Sequence, residues 1–192
     1  LVTEQSISHL PTPVRNYLRY CGFVGKELPI NARVVWADSH IKMNPGRKWM
    51  RLTTEQYNST AEPFRIALMK ARLGGIIPFQ GRDLFADGQG HMYGKLAHLI
   101  TIFDEKEAEI SQSALVIILA ESLLIPGYAL SSYMRWEEID ERTALGIIEW
   151  RGIKAEGIFY FDEHMRMVRF HAPERYYMDP VLGNVTRPFT AI

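Results

Sequence analysis

Most of this sequence reads as β-strand broken by turns, and one helical stretch interrupts it. That stretch, Ser113 to Leu124 (SALVIILAESLL), is almost wholly apolar but carries Glu121. An antiparallel sheet with one apolar face needs a cover, and a strongly apolar helix is a natural one. The expected fold class is α+β: a curved antiparallel β-sheet, a half-barrel, with helices covering its concave face.

The strand segments are marked by alternation and by turn residues. Arg33 to Ala37, Lys48 to Gln56, Phe64 to Met69, Arg82 to Ala86, Met92 to Leu96 and Leu99 to Phe103 precede the helix. Arg135 to Ile139, Ala144 to Trp150, Lys154 to Phe161 and Met165 to His171 follow it. Turns are expected at Asn44-Pro45-Gly46, at Asp87-Gly88-Gln89-Gly90, at Asp104 to Glu107 and at Asp179 to Asn184. Gly74, Gly75, Pro78 and Gly81 mark a loop or bulged connection. Residues 4 to 21 read as a helix interrupted at Pro11 and Pro13, with Thr12 as N-cap, Pro13 at N1 and Gly22 as the C′ glycine. A short helical segment near Ala129 to Met134 is also expected. Short turns between successive strands imply an antiparallel meander of at least seven strands. Several strands are apolar on both faces, as with Trp49 beside Met50 and Ile158 beside Phe159.

A chain of 192 residues fits a single domain, taken as residues 1–192. Charge is balanced, with 22 Lys and Arg against 22 Asp and Glu, so a nucleic-acid partner is not expected. The single cysteine, Cys21, excludes an intramolecular disulfide framework and reads as a structural thiol. The cytoplasm and the cell envelope both fit this cysteine usage. The longest apolar run, Ala114 to Ala120, is far short of the roughly 20 residues of a membrane span. The chain begins at Leu1, which leaves open a membrane association through a lost amino-terminal segment.

No serine-nucleophile, phosphate-loop or dinucleotide pattern is present. The six histidines form no i,i+4 pair and no Cys/His cluster, and His91 and His98 would face opposite sides of a strand. No metal ligand, catalytic residue or cofactor is assigned. Glu121 is the sharpest residue. Ile117, Ile118, Glu121, Leu124 and Ile125 share one helical face, so Glu121 is expected to be at least half buried. A buried carboxylate needs a partner. The structural reading pairs it with a strand arginine, Arg65 or Arg51. The functional reading makes it a polar anchor at a cavity wall.

Leu10-Pro11-x-Pro13-Val14-Arg15-x-Tyr17-Leu18-Arg19, followed by Gly22 and Gly25, resembles the opening of a bacterial family of unknown function. Trp49, Gln56, Pro63-Phe64-Arg65, Gly81-Arg82-Asp83 and Asp87-Gly88-x-Gly90-x-Met92 continue the likeness. Leu119-Ala120-Glu121 with Pro126, Trp136, Asp140, Phe161-Asp162 and Arg175 complete it. The resemblance implies a fold similar to lipoprotein-carrier and LppX-like (LolA-like) half-barrels, whose cavities take acyl chains. Members of the family continue past the segment matching Arg187-Pro188-Phe189 with further strands, so a truncated carboxy-terminus is expected here. The implied function is binding of an apolar or lipid-like small molecule between helix and sheet. Its expected ligand-binding residues are Trp49, Phe64, Arg65, Met69, Ile117 and Glu121. The alternatives are an enzyme with a site around Glu121, Arg65 and Asp83, and a structural partner-binding module. The oligomeric state is not read from the sequence.

Overall fold

The computed structural model describes the chain apart from residues 43–45, 47 and 180–182. Helix α1 (Thr12–Tyr20) is followed by six strands: β1 (Asn31–Ile41), β2 (Met50–Ser59), β3 (Phe64–Leu73), β4 (Ile77–Ala86), β5 (Gln89–Leu96) and β6 (Ile100–Glu105). Helices α2 (Ala108–Ala120) and α3 (Pro126–Ala129) come next. Five strands close the described chain: β7 (Met134–Asp140), β8 (Thr143–Trp150), β9 (Ile153–Phe161), β10 (Met167–Asp179) and β11 (Gly183–Ala191). The fold is α+β and mostly antiparallel sheet with few helices, as expected. The strands divide into two open meanders, β1 to β6 and β7 to β11, each pairing in chain order. The chain correspondingly forms two compact units, residues 31–114 and residues 1–30 with 115–192.

In the unit of residues 31–114, turn chemistry sets the register. Asp87 and Gly88 both have positive φ (54° and 76°), the conformation of the type I′ turn that suits the twist of a hairpin. Ala86 therefore opposes Gln89, and every β4–β5 pair follows from it. Gly74 and Gly75 are also left-handed and let β3 turn directly into β4. The expected loop at Pro78 and Gly81 is strand instead, because the two glycines complete the turn before it. Register shifts bend β1 between Trp36 and Ser39, and β5–β6 at Gly94 and Lys95.

Helix α2 starts five residues before the expected Ser113 and ends four before Leu124. The charged segment Asp104 to Glu107, read as a turn, is the end of β6 and the two residues before α2, and Glu109 in the helix's first turn suits the positive end of the helix dipole. The Ser111 hydroxyl accepts a 2.8 Å bond from the buried Gly90 N–H of β5. A Cβ on Gly90 would lie 2.6 Å from the Ile110 carbonyl oxygen, so only glycine permits this approach.

The other unit has the denser core. Leu115, Ile118, Leu119, Tyr128, Ile148, Phe159 and Phe170 are fully buried. Gly146 and Gly157 oppose each other across β8 and β9. The missing side chains leave room for Leu119 and Phe159 over Gly146 and for Phe170 over Gly157. Helix α2 thus packs on a sheet face through Leu119. The segment before α1 is turns rather than helix, with Thr3 and Ser6 exchanging side-chain-to-backbone bonds. Thr12 is the first helical residue rather than the cap, and its N–H donates to Glu138 Oε2 at 2.7 Å. At the other end Phe23 N–H bonds Leu18 O and Gly22 N–H bonds Arg19 O, a Schellman closure with Gly22 at φ 69°. Cys21, at that C-cap, is a free, half-buried thiol.

Strand β11 has no counterpart in the sequence reading, and it carries Pro188, a residue disfavoured inside a sheet. It is an edge strand, and Pro188 falls at the register shift opposite Ala172 to Arg175, where a missing N–H is tolerated. The turns expected at Asn44-Pro45-Gly46 and at Asp179 to Asn184 include residues outside the described ones.

Two tyrosines of this unit make its stability pH-sensitive. Burial pushes the Tyr133 phenol up to about 12 from 10.0. Burial, then a bond with Cys21, pushes Tyr17 up further. A folded pKa above the unfolded one means stability present below pH 10 and lost as pH rises through the folded value. Ultraviolet titration should show these two phenols ionising after the exposed tyrosines. The denaturation midpoint should fall between pH 10 and 12. Replacement of both by phenylalanine should flatten that fall.

Candidate functional site

Alternation along β3 puts Arg65, Ala67, Met69, Ala71 and Leu73 on its more buried face. Register places Asn58, Gln56, Thr54 and Leu52 of β2 opposite Arg65, Ala67, Met69 and Ala71. From β4, Phe85, Asp83, Gly81 and Phe79 oppose the same four residues. This one face is therefore polar at one end and apolar at the other.

At the polar end, Arg65 Nη1 donates to Asp83 Oδ2 at 2.7 Å, with the two side chains only 10% and 19% exposed. Gln56 Nε2 donates to Asn58 Oδ1 at 3.0 Å, also buried. Towards the apolar end stand Leu52, Met69, Ala71 and Phe79. Gly81 and Gly94 oppose each other there, so the Phe79 and Phe103 rings lie close over the sheet, 6.3 Å apart. Glu105 lies on this face beside Met92, and burial, then nearby Glu107, raises its carboxyl above the ordinary range.

The six expected site residues are distributed as follows. Arg65 and Met69 share the face just described. Phe64 is half-buried on the opposite face of β3. Trp49 lies just before β2, exposed, with Lys42 Nζ 4.9 Å from its ring centre. Ile117 and Glu121 belong to the other unit: Ile117 is half-buried on α2, and Glu121 is half-buried one residue past the helix end. Arg51, weighed as a partner for Glu121, is exposed and pairs with Asp38 at 3.3 Å. A cleft of about 400 Å³ in that other unit is lined by Leu1, Val2, Ser6, Glu27, Leu28 and Leu130, and by none of the six.

The sequence reading gave no role to His91. Its Nδ1 lies 3.0 Å from Arg82 Nη2 and its Nε2 lies 2.8 Å from Asp104 Oδ1. An arginine only donates, so Nδ1 must accept and Nε2 must carry the proton given to Asp104. The bond from His91 holds the Asp104 carboxyl below the usual range. With both ring nitrogens engaged, His91 is a structural link across β4, β5 and β6 rather than a base poised for substrate. The Asp87-Gly88 turn was the available signal: it makes Arg82 and His91 diagonal neighbours. Among the described residues, no group of three His, Cys, Asp or Glu could hold a metal ion, and no helix is long and apolar enough to cross a membrane.

One of three comparisons with known proteins found a match. A search of curated proteins and a search of solved structures found no match. The model of the Family of unknown function (DUF6544) matches residues 1–191. Because that match runs through both sheets and all three helices, the chain belongs to this family of unknown function.

Proposed function

We propose that this protein binds an apolar or lipid-like small molecule on the Arg65–Met69 face of its first sheet, without covalent chemistry. The observation that carries the reading is the division of that face. A ligand with one polar group and a hydrocarbon tail has the same division. Binding sites for such molecules are mostly apolar, with a few placed polar groups. The tail would lie along Leu52, Met69, Ala71 and Phe79, and the polar group towards Arg65 and Asp83. The resemblance to LolA-like half-barrels supports the same ligand class. Binding is favoured over catalysis because Asp83 is already engaged by Arg65.

Titration with a fluorescent fatty-acid probe tests this. Wild type should show saturable binding at micromolar concentrations. Met69→Glu places a charge in the path of the tail and should weaken binding about tenfold or more, about 1.4 kcal/mol. Leu68→Glu, on the opposite and exposed face of β3, should leave affinity unchanged. No saturable binding by wild type, or equal losses in the two folded variants, would remove the reading.

A further inference from the structure

The first sheet is polarised along its strands. Register brings three connections to one end: β1–β2 beyond Ile41 and Met50, β3–β4 beyond Leu73 and Ile77, and β5–β6 beyond Leu96 and Ile100. Each carries large apolar side chains in solvent: Trp49 is 64% exposed, Ile76 78%, Ile77 44%, Leu99 84% and Ile100 60%. Scattered single apolar residues on a surface need no explanation, but a cluster at one end of a sheet does.

Charge follows the same axis. The described residues of 39–53, 70–80 and 94–103 include six Lys or Arg, of which Arg51 pairs with Asp38, and no Asp or Glu, in a chain whose total is 22 against 22. Lys42, Lys48 and Arg72 of this end are exposed. The opposite end has Glu62 and Asp87 in its turns and Asp104 to Glu109 where β6 leaves the sheet. An apolar tip inside a cationic collar matches one surface closely: apolar side chains enter the acyl boundary while the cations meet anionic headgroups. Tryptophan suits that depth, with an apolar ring and an N–H that stays wet.

We propose that this end of the first sheet docks on a lipid bilayer containing anionic lipid, with Trp49, Ile76 and Leu99 inserted. The inference stands on different residues from the ligand reading and does not depend on it. The test is flotation of the whole chain with phosphatidylcholine vesicles, with and without phosphatidylglycerol. Binding is expected to the anionic vesicles, to weaken with salt, and to shift tryptophan emission to the blue. Ile76→Asp/Leu99→Asp should weaken binding about tenfold or more, and Lys42→Glu/Arg72→Glu should remove the preference for anionic lipid. Trp49→Phe should abolish the emission shift. All these residues are exposed, so unchanged circular dichroism is expected to accompany each loss. Absence of vesicle binding, or binding indifferent to Ile76 and Leu99, overturns the proposal. So does a wild-type dimer that those aspartates dissociate, which would make the tip an interface between copies. No soluble fatty acid enters this measurement, so its failure is distinct from failure of the probe titration.

Discussion

Arg65→Met is expected to destabilise the protein by about 3–5 kcal/mol, because it leaves the Asp83 carboxylate largely buried without its guanidinium. Urea denaturation followed by circular dichroism measures this. The paired replacement Arg65→Met/Asp83→Leu should recover much of the loss, since the cost lies in an uncompensated charge rather than in the absence of an attraction. A loss below about 1 kcal/mol for the single variant would place the pair with exposed salt bridges and contradict its burial.

A loss of the same size is expected at Phe170, for a different reason. Its ring is fully buried, 4.8 Å from Phe159 and 6.3 Å from Phe189, and lies against Gly157. Phe170→Ala should cost about 3–5 kcal/mol through lost transfer energy and the cavity left behind. Gly157→Ala should also destabilise, by about 1–3 kcal/mol, because its Cβ would sit 2.4 Å from the Phe170 ring. The two effects should not add: removing the ring makes room for the methyl group, so the double variant should lose less than the sum. Strict additivity would show that ring and glycine do not share the space.

The strands were legible where alternation and turn residues agreed. Asp87-Gly88 fixed a hairpin and its register, and Gly22 fixed the end of α1, because both positions require φ values that few other residues adopt. Boundaries failed where a neighbour outweighed local pattern. The first turn of α2 lies before the apolar run that marks the helix, and only the close approach of Gly90 shows where it packs. Strand β11 tolerates Pro188 because it lies at a sheet edge, and nothing local in the sequence says so. The division of strands into two sheets depends on which strand begins a new meander after α3, and no periodicity encodes that. At the candidate site, the shared face of Arg65 and Met69 follows from a separation of four residues in a strand. The pairing of Arg65 with Asp83 needed the β3–β4 register, and the link through His91 needed the β4–β5–β6 register. The exposed tips at Ile76 and Leu99 were invisible because isoleucine and leucine are expected inside.

The central claim is that an apolar ligand lies on the Arg65–Met69 face, and covalent mapping tests it most directly. A photoactivatable fatty acid is bound, irradiated, and its attachment sites are located by peptide mass spectrometry. Labelling should concentrate in β2, β3 and β4 at inward positions such as Leu52, Met69 and Phe79, and excess unlabelled fatty acid should suppress it. Labelling confined to β7–β11 or to outward positions such as Leu68, or labelling that competitor leaves unchanged, would contradict the claim.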